Sequence, residues 1–182
     1  VLVTGATGAA GGMALQVARH LGASKVIAVA RNLEKLQPLN ADVRIALDDD
    51  ADQALRAQFD QGVDIVLDFV WGEPASRILR AAAGNRGSRM GEPRLRYVQL
   101  GTVAGDEIPL RGDLLRGSGL ELMGSGIGSV SIQELLAGAG ELLAAAPQAG
   151  FTPRYASLPL QEIAAAWKGD QDIRYIIQPN RL

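Results

Sequence analysis

The chain has 182 residues, close to the size of one domain, and its 18 Lys and Arg nearly balance 20 Asp and Glu. A net charge of −2 with 47 % hydrophobic residues describes a core-forming protein and offers no general electrostatic case for nucleic acid or an anionic membrane. No apolar run approaches the roughly 20 residues that span a bilayer, and zero Cys with one His excludes disulfides, a thiolate zinc site and a cysteine nucleophile.

Val1 to Thr4 reads as a buried strand that begins at the first residue, which leads us to expect a segment of a longer protein. A glycine-rich turn follows, then a helix whose packed spacing is set by Met13, Leu15, Val17, Ala18 and Leu21 and which stops at Gly22. Val26 to Ala30 is the next strand, about 25 residues on, as a right-handed crossover requires. Asn32 to Leu36 is a helical turn and Val43 to Leu47 a third strand. The acidic run Asp48 to Asp52 then leads into a helix over Gln53 to Phe59. Val63 to Phe69 is a fourth strand and Pro74 to Ala83 a helix. Gly84 to Arg96 reads as a polar, basic loop. Tyr97 to Leu100 is the fifth strand and Leu120 to Met123 the sixth. Ser131 to Ala146 is a long Ala/Leu helix with Ser131 as N-cap, expected to pack on a face of the sheet. After Pro147 come an extended Tyr155 to Leu160, a helix over Pro159 to Lys168 and a last strand, Ile173 to Gln178, which belongs outside the main sheet. The expected fold is α/β, a doubly wound parallel six-stranded Rossmann sheet with helices on both faces and a helix–strand tail. The expected domains are 1–150, dinucleotide-binding, and 151–182, a return segment.

Gly5, Gly8 and Gly11 stand at three-residue steps between the first strand and the first helix. The first makes the tight turn, the second lets a pyrophosphate approach the backbone, and the third lets helix and sheet pack closely. The N–H groups of the helix start then face the anion. At the end of the second strand, where NAD-binding versions carry an acid, this chain reads Ala30-Arg31-Asn32, with Lys35 one turn further. Arg31 can clamp a 2′-phosphate with two parallel hydrogen bonds and Lys35 adds a charge, so NADP(H) is expected.

Thr4 to Gly11 also fits the short-chain dehydrogenase pattern, whose catalytic members carry Tyr with Lys four residues on. Here Tyr97, Tyr155 and Tyr175 are followed at that distance by Gly101, Pro159 and Pro179, so the dyad is absent. A non-catalytic NADP-binding sensor or partner-binding module of that type is the alternative reading. The longer resemblance is to the cofactor-binding half of the medium-chain dehydrogenase/reductase superfamily, nearest its zinc-independent quinone oxidoreductase-like branch. It is carried by Val1 to Gly12, Ala14 to Ala28, Gly62 to Gly72, Tyr97 to Gly105 and Leu120 to Gly126. Leu158 to Ile163 and Arg174 to Ile177 resemble the segment returning to a substrate domain, which in the family precedes this part of the chain.

The resemblance implies an NADPH-dependent reductase of quinones, enones or similar carbonyl compounds, cytoplasmic, with no catalytic metal in this branch. It also implies a homodimer in which the last strand of the sheet pairs with its copy. By position, Gly5, Thr7, Gly8, Ala9 and Ala10 meet the pyrophosphate, and Arg31, Asn32 and Lys35 the 2′-phosphate. Phe69, Val70, Leu100, Gly101 and Thr102 lie at strand ends where a nicotinamide would sit. Trp71 either shields the cofactor or covers the sheet edge. The segment alone should bind cofactor and turn over poorly. His20 at a helix end, the Asp48–Asp52 run, the arginines 86, 89, 94 and 96, and Ser125, Ser129 and Ser131 are read as structural or solvated.

Overall fold

Short runs of Val, Ile, Leu and Ala, buried on both faces, form the central strands, and helices with one apolar side cover them. The computed structural model describes residues 1–83, 91–170 and 173–179. The strands are Leu2–Thr4 (β1), Ile27–Ala30 (β2), Val43–Ala46 (β3), Ile65–Asp68 (β4), Arg94–Gln99 (β5) and Gly119–Gly124 (β6). All pair in parallel, in the order β3-β2-β1-β4-β5-β6. The order reverses beside β1 and β4, so the first two crossovers run one way along the sheet and the later ones the other. That leaves a crevice at the carboxyl ends of β1 and β4, where such sheets bind ligands.

The helices are Ala9–His20 (α1), Leu33–Leu36 (α2), Ala51–Gln61 (α3), Gly72–Ala82 (α4), Gly112–Arg116 (α5) and Ile132–Ala149 (α6). One core joins Leu55 and Phe59 of α3, Ile78 and Leu79 of α4, and Leu2, Val66 and Tyr97 of the sheet. The other, on the opposite face, joins Leu15 and Ala18 of α1 with Val3, Val26, Ala28 and Leu36. The doubly wound reading is thus correct, with both faces covered.

Three expectations need correction. The fifth strand starts at Arg94, inside the stretch read as loop, because Arg94-Leu95-Arg96-Tyr97 alternates outward and inward. Leu95 and Tyr97 are buried, while Arg94 and Arg96 both pair with Glu121 on β6. Arg86 and Arg89 lie outside the described residues. The long helix does not end before Pro147 but contains it and stops at Gly150, whose φ is +64. Proline keeps a helical φ there and only the last turn loses a bond. Finally, α6 does not pack on the sheet. It has no buried residue, and Ile132, Leu135, Leu136 and Leu143 are all more than half exposed. Its N-terminus is nonetheless well made: Ser131 accepts from the Glu134 N–H, and Glu134 accepts from the Ser131 N–H at 2.8 Å. The Ser131 hydroxyl, donating to the Glu134 carboxylate at 2.7 Å, and then the Ser131 N–H hold that carboxyl below its ordinary pKa.

The tail forms a unit of its own. Tyr155–Pro159 (β7) pairs in parallel with Arg174–Gln178 (β8), joined by a short 3-10 turn at Leu160–Glu162 and the helix Ile163–Lys168 (α7). The last strand is outside the main sheet, as expected. It is held to α1: the Gln16 side chain accepts the Thr152 N–H at 2.8 Å, and the His20 ring meets Phe151 edge-on at 5.6 Å. Among the described residues no helix is long and apolar enough to cross a membrane.

Candidate functional site

The glycine turn opens a cleft of about 1000 Å³ between the sheet and the tail. Gly5 turns the chain at φ +58, and its carbonyl accepts the Gly8 N–H at 2.9 Å. Gly8 is the N-cap of α1 and no side chain caps that helix start. The first-turn N–H groups of α1 have no acceptor within the helix, which is the property an anion exploits. Gly11 faces back onto the turn, where an added Cβ would lie 2.3 Å from the Gly5 carbonyl oxygen. No residue with a side chain fits there unless the helix moves away.

The other lip is built by a carboxylate. Asp68, fully buried at the end of β4, accepts from the Thr4 hydroxyl at 2.5 Å, the Tyr97 phenol at 2.8 Å and the Val70 and Trp71 N–H groups at 3.0 and 3.2 Å. The Thr4 oxygen in turn accepts the Phe69 N–H at 2.9 Å. Burial, with the Asp68 charge and hydrogen bond beside it, holds the Tyr97 phenol pKa well above its ordinary value, so the group stays a proton donor. One side chain therefore ties together the ends of β1, β4 and β5. Above it, the Ala104 N–H donates to the Val70 carbonyl at 2.7 Å and joins the two loops.

Of the residues expected in the site, Gly5, Thr7, Gly8, Ala9 and Ala10 form one wall of the cleft. Arg31, just past β2, also lines it, as do Phe69, Val70 and Gly101 at the carboxyl ends of β4 and β5. Asn32, Lys35, Leu100 and Thr102 do not line it. Asn32 is instead the N-cap of α2, its side-chain oxygen accepting the Lys35 N–H at 3.0 Å. Trp71 packs edge-on against Tyr97, ring centres 6.3 Å apart, and joins the core, so it covers the sheet rather than the cleft. Its backbone, at φ +55, is strained for a residue with a side chain and is held by the bond to Asp68.

Sequence reasoning missed two parts of the site. The Thr4–Asp68–Tyr97 cluster was signalled only by an acid closing the apolar run Ile65 to Leu67. Part of the cleft lining comes from the tail, through Ala166, Trp167, Arg174, Tyr175 and Ile177. No local pattern reports that contact, because some 160 residues separate its two sides.

Neighbouring acids are structural. Asp52 accepts from Arg77 at 2.6 Å, and Arg77 also donates to the Asp48 carbonyl at 2.6 Å. The hydrogen bond and charge of Asp52 raise the Arg77 pKa. Among the described residues no group of His, Cys, Asp and Glu is placed to hold a metal ion.

The family model described as zinc-binding dehydrogenase matches residues 9–145. The chain is 34% identical, over 197 residues, to a probable NADPH-dependent quinone reductase, tdiC, of Emericella nidulans, covering 96% of this chain and 51% of the relative. Among solved structures it superposes on a 2-haloacrylate reductase with TM-score 0.76 and 25% identity, covering 99% of this chain and 57% of that one. It also superposes on a quinone oxidoreductase from Thermus thermophilus, solved alone and with NADPH, with TM-score 0.68 and 25% identity, covering 92% and 52%. The chain spans about half the length of the relatives it matches.

Proposed function

We propose that this chain, which belongs to the zinc-binding dehydrogenase family, is the NADP(H)-binding part of an oxidoreductase that reduces quinones, enones or similar carbonyl compounds. The observation that carries the reading is the cleft itself. It has a glycine turn with an uncapped helix start on one wall and Arg31, with no carboxylate, at the end of β2. The family's name refers to zinc, but with no Cys, one His and no metal-ligating cluster among the described residues, no zinc site is assigned to this chain.

In this reading the turn residues Thr7 to Ala10 hold the diphosphate, and Arg31 holds the 2′-phosphate from just past β2. Phe69, Val70 and Gly101 form the surface against which the nicotinamide rests. The cofactor, when bound, supplies the hydride. The chain's own residues orient it, and the apolar tail wall keeps water from it. Residues 1–150 form the binding domain, and 151–182 the segment that returns towards a substrate domain. The names of the relatives, quinone and 2-haloacrylate reductases, support small electron-poor substrates.

Arg31→Ala is the test of the cofactor assignment. It should weaken NADPH binding by ten- to a hundredfold, the effect of one charge-assisted bidentate contact, and leave NADH nearly unchanged. A variant that keeps the preference of the unmodified chain, measured by calorimetry, counts against it.

The assembly proposed is a homodimer through β6. That strand ends the sheet, so its outer edge pairs with no other strand among the described residues, and Leu122 and Met123 are more than a third exposed. Pairing with a copy about a two-fold axis satisfies both edges at once. Sedimentation at high micromolar concentration should show a dimer, and Leu122→Pro, which removes a ladder donor, a monomer. A monomeric unmodified chain refutes the pairing.

A further inference from the structure

We propose that Asp68 positions the nicotinamide half of the bound dinucleotide, by fixing the backbone of Phe69 to Trp71 and, on the next strand, of Leu100 and Gly101. The inference rests on the reading of the cleft as a dinucleotide site. It deepens that reading by assigning a positioning residue that does not itself line the cleft.

The bonds of both loops converge on this one residue. Its Oδ1 accepts the Val70 and Trp71 N–H groups at 3.0 and 3.2 Å and the Thr4 hydroxyl at 2.5 Å. That hydroxyl oxygen accepts the Phe69 N–H at 2.9 Å. Three successive N–H groups past β4 are thus held from one carboxylate oxygen, directly or through Thr4. The Asp68 main-chain carbonyl takes the other loop, accepting the Leu100 N–H at 2.7 Å and the Gly101 N–H at 3.2 Å. Side chain and main chain of one residue therefore set both strand ends that bring Phe69, Val70 and Gly101 to the cleft.

This lip has little slack. A Cβ added at Gly101 would lie 2.6 Å from the Phe69 carbonyl oxygen, so the two loops meet backbone to backbone. The Val70 side chain reaches the glycine turn, its Cγ1 3.1 Å from where a Cβ on Gly5 would stand. Trp71, at φ +55, keeps a backbone conformation that persists only where its surroundings over-determine it. A planar ring laid on such a surface finds it preformed and does not have to order it on binding.

The rest of the cleft is shaped by other bonds. In the glycine turn the Ala6 N–H donates to the Val29 carbonyl at 3.2 Å and the Gly8 N–H to the Gly5 carbonyl at 2.9 Å. Arg31 follows β2, which is fixed between β1 and β3. Loss of the Asp68 charge should therefore be felt at the nicotinamide end and not at the adenosine and diphosphate end. A residue that merely supports the fold would affect both ends alike.

Calorimetric titration with NADPH and with 2′-phospho-ADP-ribose, the same molecule without its nicotinamide, separates the two. Asp68→Asn, which keeps the size of the side chain, should weaken NADPH about tenfold and leave 2′-phospho-ADP-ribose nearly unchanged. The rise in reduced-nicotinamide fluorescence on binding should shrink with it. Thr4→Val, which removes the link to Phe69, should weaken NADPH alone by about threefold, and it decides the matter if Asp68→Asn does not fold. Ile45→Val, a change at a buried core residue that does not line the cleft, should lower the unfolding midpoint and leave both affinities unchanged. Equal losses for the two ligands, or unchanged NADPH affinity in a folded Asp68→Asn, overturns the proposal. So does an unmodified chain that binds both ligands equally, a result that leaves the dinucleotide reading of the turn standing. If the unmodified chain binds neither, that reading itself fails and the role of Asp68 with it.

Discussion

Asp68→Ala is expected to remove about 3–5 kcal/mol of folding stability, read as a lower urea midpoint at unchanged slope. The carboxylate is fully buried and accepts from two buried side chains, Thr4 and Tyr97, and from two backbone N–H groups. Truncation leaves these donors without an acceptor, each at roughly 1–3 kcal/mol before any reorientation. The Tyr97 phenol has the least freedom, being buried between the sheet and Trp71. Against a total stability of about 5–15 kcal/mol, the loss is a large share. The strained backbone at Trp71 should relax at the same time, displacing the lip formed by Phe69 and Val70. Asp68→Asn keeps an oxygen for Thr4 and the N–H groups and should lose only about 1–2 kcal/mol. An Asp68→Ala chain that unfolds at the wild-type midpoint would show that the cluster does not hold these strand ends.

Gly11→Val should abolish measurable dinucleotide binding, a loss of more than about a hundredfold, and destabilise the chain by about 1–3 kcal/mol. The new Cβ would meet the Gly5 carbonyl oxygen at 2.3 Å and its carbon at 2.7 Å, both backbone atoms with no rotamer to yield. Helix α1 must back away from the turn, and its first N–H groups then no longer converge with it on an anion. The prediction separates shape from charge, since no ionisable group changes. Normal NADPH binding by Gly11→Val would mean that the close helix–turn packing is not what forms the site.

Much of this was legible in the sequence because it is local. Val26 to Ala30 and Ile65 to Leu67 are apolar runs too short for helices, and the glycine steps from Gly5 to Gly11 sit between strand and helix. Arg31 was legible for the same reason, its place being a fixed distance beyond the turn. What was not legible depends on what lies across space. The alternation of Arg94 to Tyr97 looked like a basic loop until β6 provided Glu121 for the outward arginines. The apolar side of α6 predicted packing, but amphipathy does not say what covers a helix, and among the described residues nothing buries it. The Asn32 oxygen caps α2, a second use for a residue expected at the 2′-phosphate. The tail's place on the cleft is not legible either, because it depends on single contacts across space such as Gln16 with Thr152.

The central claim is that this cleft is built for a dinucleotide carrying a 2′-phosphate. A calorimetric titration of the unmodified chain with NADPH and, separately, with NADH tests it most directly. NADPH should bind one to one and about ten- to a hundredfold more tightly than NADH. Equal affinities would contradict the role given to Arg31, and no binding of either would contradict the site.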